Sequence, residues 1–233
     1  MINGDLLATL VVQTGIAAAA LYGTWRCVAL QRFGEDRRLT LLAWFFGLFA
    51  AAVVLSAIWQ LQIESQFPAH GGHVLIFHPV DNGTENGTFD RPIDRGLFHP
   101  EGIERVNLWL AGHHLLMLSS LAIGVWAFGR RRPDLQAPVA LAAVSLAFLG
   151  DLIPTMLALE AGLTLYLAVQ AFLNHVHRRT PGALQVALGF LLFFCGHLLF
   201  YVAHQPGVGH NSLGDVLDLV GIVLLVQVLP GTK

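Results

Sequence analysis

LQAPVALAAVSLAFLGDLIPTMLALEAGLTLYLAVQAFLNHVHRR, residues 135–179, is the stretch on which the fold turns. A helix needs roughly 20 predominantly apolar residues to cross a bilayer core, and this stretch holds about twice that number. Asp151, Pro154, Glu160 and Gly162 interrupt it. The spacing predicts two short spans, 138–152 and 163–177, joined by an outer turn that leaves Asp151 and Glu160 in water.

Five clearer apolar runs flank it, at 6–30, 39–63, 106–128, 184–202 and 216–229. Arginines then test the split. Arg26, Arg32, Arg37 and Arg38 lie between the first two runs, Arg130, Arg131 and Arg132 follow the third, and Arg178 and Arg179 precede 184–202. Positive loops mark the cytoplasmic side. The three clusters share one side only if 135–178 crosses twice. The opposite loops carry mainly acids, including Glu64, Asp81, Glu85, Glu101 and Glu104. The reading is therefore an all-α integral membrane protein of the cell membrane. It has seven transmembrane helices in one bundle, with its N-terminus outside and its C-terminus in the cytoplasm. Residues 1–5 hold no basic residue and the first run exceeds a signal-peptide core, so a retained span is expected there.

Composition agrees. Of 233 residues, 55% are hydrophobic and 12% charged, against about 25% charged in a soluble domain. Lipid has to cover much of such a surface. The formal net charge of -2 argues against nucleic acid as a partner. Cys27 and Cys195 sit in apolar runs and read as buried thiols rather than a disulfide framework.

Residues 64–105 form an exterior loop between the second and third spans, far longer than the usual connection. Asn82-Gly83-Thr84 and Asn86-Gly87-Thr88 are acceptor sequons for N-glycosylation and also turn-forming Asn-Gly pairs. A cap over the outer mouth is expected from this loop.

The chemistry concentrates at the outer side. Of eleven histidines, only His175 and His177 lie near an arginine cluster. His113 and His114 follow Arg105 by eight and nine residues, which places them about 12–14 Å down the third span. His197 precedes His204 by seven residues, about 10 Å down the sixth. Imidazoles on separate helices at one depth are functional candidates, because intramembrane polar side chains face the bundle interior. His197, Tyr201 and His204 share a helical face, as do Asn211, Asp215 and Asp218. Spacing alone leaves open whether His113 or His114 points inward. Gln13, Gln60, Asp151 and Glu160 add polarity at similar levels.

Three uses of this arrangement follow. The first is a membrane cytochrome b-like electron-transfer subunit. In it a haem b lies between His197 and His114 (or His113), with Phe190, Phe193 and Phe194 as apolar walls and Arg105 beside a propionate. Such a chain would work with other subunits or an extracellular redox partner. The second is a zinc or copper site drawn from His114, His197, His204, Asp215 and Asp218, able to activate water in a membrane hydrolase. The third is a cofactor-free seven-helix sensor or structural subunit. A retinal pigment is excluded, because its Schiff base needs a mid-membrane lysine and the only lysine is Lys233. Ordinary roles compete with all three. A lone intramembrane histidine is often a packing residue, and Asp215 suits the first turn of a helix. Trp25, Trp44, Trp59, Trp109 and Trp126 read as interface anchors.

Overall fold

A computed structural model describes residues 4–32, 36–66, 100–128, 152–203 and 212–229. These form six helices: α1 (Gly4–Gln31), α2 (Arg37–Gln66), α3 (Pro100–Phe128), α4 (Leu152–Arg178), α5 (Pro181–Ala203) and α6 (Ser212–Gln227). Five of them, α1 to α5, contain segments long and apolar enough to cross a membrane. The sixteen residues of α6 extend about 24 Å. The ends of the expected exterior loop, 64–66 and 100–105, belong instead to α2 and α3; residues 67–99, with both sequon asparagines (Asn82 and Asn86), and most of the expected fourth span lie outside the described residues.

The helix ends follow from local chemistry. The Asp36 carboxylate accepts the Arg38 backbone N–H at 2.9 Å, an N-cap that satisfies one orphan donor of α2. α5 opens on Pro181, where a missing N–H costs nothing. Between α4 and α5 the chain reverses through two residues. Arg179 adopts a left-handed φ of 50°, and its N–H donates to His175 O.

The expected break in 135–178 is corrected in its second half. α4 is continuous from Leu152 to Arg178, so Pro154 and Gly162 lie inside a helix. Pro154 is the third residue of that helix, in the first turn, where no intrahelical N–H bond is lost. Gly162 faces outward, and a Cβ added there would meet nothing within 4 Å. Glu160 is therefore not in a hydrated turn. It is 1% exposed, at the centre of the helix packing.

The helices pack as a closed ring, α1–α2–α3–α4–α5–α6 and back to α1. Two neighbouring pairs are parallel. The Arg26 guanidinium on α1 donates to Val226 O at 3.3 Å and Leu229 O at 2.8 Å, which joins the C-terminal ends of α1 and α6. His114 on α3 meets Glu160 on α4. Phe128 and Asn174, each fourteen residues further along its helix, line one cleft. α3 and α4 thus run in the same direction and in register.

One half of the ring interior is filled by aromatic packing. Phe49 stacks on Phe193 with centroids 5.1 Å apart. Phe45 contacts Phe46, Phe49, Phe128 and Phe190. Leu121, Leu167, Ile222 and Leu225 close the layer from the other helices. Arg26, Arg32, Arg37, Arg38, Arg178 and Arg179 sit on the side of this layer where α1, α3, α4 and α6 end, whereas Arg105 lies near the start of α3. Arg38 there donates to Ala127 O at 2.9 Å, a favourable use of a cation at a helix C-terminus.

Candidate functional site

Beyond the aromatic layer, away from those arginines, the ring interior becomes polar. Four helices contribute. His113 and His114 come from α3, Glu160 from α4, His197 from α5, and Asp215 and Asp218 from α6. His114, Glu160, His197, Asp215 and Asp218 are all buried. Each of those helices must hide an ionisable group, and Glu160 links those of α3, α4 and α5.

Glu160 is the hub. Its Oε1 lies 2.9 Å from His114 Nδ1 and its Oε2 3.5 Å from His197 Nε2. One carboxylate thus spans imidazoles from two other helices. His114 is the inward-facing histidine of the adjacent pair. His113 turns toward α2, where its Nδ1–H donates to Ala52 O at 2.8 Å, and its ring centroid stays 4.8 Å from that of His114.

The hydrogen bonds fix the tautomers. His197 Nδ1 is 2.8 Å from Phe193 O. A carbonyl oxygen only accepts, so Nδ1 carries the hydrogen. The neutral ring then bears its lone pair at Nε2, turned to Glu160 Oε2. Two lone-pair atoms face each other there, and a favourable contact needs one proton between them. His113 is fixed in the same sense by Ala52 O.

Asp218 extends the chain of groups. Its Oδ1 is 3.9 Å from His197 Nδ1, beyond hydrogen-bond reach. That oxygen is buried with no hydrogen-bond partner among the described residues. The close approach depends on glycine. A Cβ at Gly196, one residue before His197, would lie 2.5 Å from Asp218 Oδ1 and 3.0 Å from Gly214 O. Asp215 lies in the first turn of α6, where its carboxylate complements the helix dipole.

The structure therefore brings together His113, His114, His197, Asp215 and Asp218 from the sequence-derived candidates, and adds Glu160 as the atom-level link. The signal for Glu160 is present in the sequence as an acid inside an apolar run (Met156 to Leu165). The neighbouring Pro154 and Gly162, which mimic a turn, mask it. The side chains of Arg105 and Tyr201, and all of His204, lie outside the described residues. Phe190 and Phe193 pack against Phe45, Phe49 and Phe128. Among the described residues no three His, Cys, Asp or Glu side chains converge as a ready metal-ligand set.

The arrangement can hold a variable number of protons: imidazole and carboxyl groups alternate from His114 through Glu160 and His197 toward Asp218. Comparison with protein-family models, curated proteins and solved structures gave no match, so the chemistry of these side chains is what carries a functional reading.

Proposed function

We propose that this chain is a cofactor-free, proton-responsive membrane protein whose His114–Glu160–His197 cluster takes up and releases protons from one face of the bilayer. The carrying observation is the facing pair Glu160 Oε2 and His197 Nε2 at 3.5 Å, with His197 Nδ1 already committed to Phe193 O. Chains of Asp, Glu and His inside membranes serve as proton relays. The aromatic layer beneath the cluster favours access from the cluster's own side over conduction through the ring.

Within this reading the protein has seven spans and lies in the cell membrane, with its N-terminus outside and its C-terminus cytoplasmic. Parallel α3 and α4 support that count. A chain leaving α3 at the arginine-bearing end has to return across the bilayer before entering α4 at the other end. The arginines support the orientation. The cluster then faces the exterior.

The test uses protein reconstituted into vesicles, with a pH indicator reporting proton uptake after an acid pulse on the outer side. Wild-type protein takes up protons that the Glu160→Gln variant does not. Equal uptake by both would reject the proposal.

Electron transfer through haem b is the second reading. Its support is that His114 and His197, from separate helices, reach opposite oxygens of one carboxylate. A haem between them requires Glu160 to withdraw from both rings. A zinc or copper ion has narrower support. The 3.5 Å between Oε2 and Nε2 is close to the roughly 3.3 Å spacing of two tetrahedral zinc ligands.

A further inference from the structure

Asp218 is a buried acid that the His114–Glu160–His197 cluster leaves unused. It is 6% exposed, and its Oδ1 has no hydrogen-bond partner among the described residues. Resting on the proton-exchange reading above, we propose that Asp218 is a second proton store, and that His197 hands protons to it from Glu160 through its two ring nitrogens.

The backbone sets Asp218 beside that ring. α5 and α6 meet through two pairs of glycines. A Cβ at Gly189 would lie 3.0 Å from Gly221 O, and one at Gly196 3.0 Å from Gly214 O. Small residues let helix backbones approach closely. Asp218 lies between Gly214 and Gly221 on α6, and its Oδ1 takes up the space a Cβ at Gly196 would need.

His197 therefore faces an acid at each nitrogen. Nε2 is 3.5 Å from Glu160 Oε2, and Nδ1 is 3.9 Å from Asp218 Oδ1. A bridging water does not fit the second gap, because its two bonds of about 2.8 Å span about 4.6 Å. A ring movement of about 1 Å brings Nδ1 to Oδ1 instead. Nδ1–H donates meanwhile to Phe193 O. That carbonyl also accepts the helical N–H of His197, so it keeps a partner when the ring turns.

The transfer balances. Protonated Glu160 gives its proton to Nε2, leaving a carboxylate and an imidazolium. The imidazolium releases its Nδ1 proton to Asp218 Oδ1, and the N–H electron pair stays on Nδ1. Glu160 ends as a carboxylate, Asp218 as a carboxylic acid and His197 as the opposite neutral tautomer. Nε2–H then donates to Glu160, and the Asp218 O–H donates to Nδ1. A second proton can enter at Glu160 Oε1, which faces His114 Nδ1. The other ionisable groups within electrostatic reach are His113 and His114 of α3 around His197, and Asp215 of α6 around Asp218. From α1 the buried Gln13 is uncharged.

Vesicle-reconstituted protein titrated from alkaline to acid pH tests the inference, with Glu160→Gln as the background. Above that background, wild type should bind about twice as many protons as Asp218→Asn, whose amide keeps the shape but cannot hold the added proton. Nitrogen NMR of wild-type His197 needs no variant. It should show the Nδ1–H tautomer giving way to the Nε2–H tautomer as pH falls. Equal uptake by wild type and Asp218→Asn would overturn the relay while leaving proton exchange at Glu160 in place. So would a His197 that stays in its Nδ1–H tautomer throughout. Uptake by Glu160→Gln equal to wild type would remove the exchange reading itself, and the relay with it.

Discussion

His114 on α3 and Glu160 on α4 meet at 2.9 Å, Nδ1 to Oε1, at a level where both side chains are almost wholly withdrawn from solvent. Two parallel helices thus share a polar contact that neither could satisfy alone. Removing one partner from such a pair leaves the other buried without its bond, which is more damaging than never having had the pair.

That asymmetry separates two substitutions at one position. Glu160→Ala strips both His114 and His197 of their partner and should cost about 1–3 kcal/mol. Glu160→Gln should cost less than about 1 kcal/mol, because its carbonyl can accept from His114 and its amide can donate to His197 Nε2. Thermal unfolding in a fixed detergent gives the comparison. Equal losses for the two variants would mean that the polar contacts at Glu160 do not matter to the fold.

Gly196 makes a complementary point. A methyl there would press on Asp218 Oδ1 and on Gly214 O, so Gly196→Ala should destabilise by about 1–3 kcal/mol through overpacking. Gly162→Ala, on the open face of α4, should be neutral or stabilise by up to about 1 kcal/mol through helix propensity. Unfolding midpoints of the two variants should move in opposite directions, or one should not move at all. A matched loss in both would refute the packing account of α5 against α6.

The aromatic layer can be tested from its stacked pair. Phe49 and Phe193 are both fully buried, and replacing either with alanine should cost about 3–5 kcal/mol. The exposed Phe172 should tolerate the same change in detergent with little loss. Circular dichroism melts would show whether this layer is the core of the ring.

Orientation has its own measurement. With Cys27 and Cys195 replaced, a single cysteine at Thr84 should react with a membrane-impermeant maleimide in intact cells. One at Arg32 should react only after permeabilisation. The reverse labelling pattern would invert the proposed topology and place the cluster on the cytoplasmic side.

Much of the fold is legible in the sequence because span length and arginine placement are coarse signals. The apolar runs at 6–30, 39–63, 106–128 and 184–202 correspond closely to α1, α2, α3 and α5. Of the double crossing inferred from arginines, the described residues hold the second half, α4, and the first half, 138–151, lies outside them. The start of α4 is hidden for a physical reason. Pro154 and Gly162 signal a turn only where a helix interior or a packed face would suffer from them, and here one sits in the first turn and the other on the open face. The same ambiguity conceals the role of Glu160. The matched depth of His114 and His197 is readable from helical rise alone. Which of His113 and His114 faces inward is not, because that depends on how α3 rotates against α2 and α4. The grip of Ala52 O on His113 resolves it.

Cofactor content separates the readings of the cluster. The proton-responsive reading expects purified protein without a Soret band and without a change between reduced and oxidised spectra. An α-band that vanishes in His197→Ala but persists in His177→Ala would establish the haem reading instead.

The central claim is that Glu160 exchanges a proton with its histidine partners. Infrared difference spectroscopy across a pH step observes a carboxylic acid carbonyl directly. Wild-type protein should show a carbonyl band that titrates, that disappears in Glu160→Gln and that shifts in His114→Gln and His197→Gln. A spectrum in which no carboxyl band depends on Glu160, or in which that band ignores both histidine substitutions, would contradict the account.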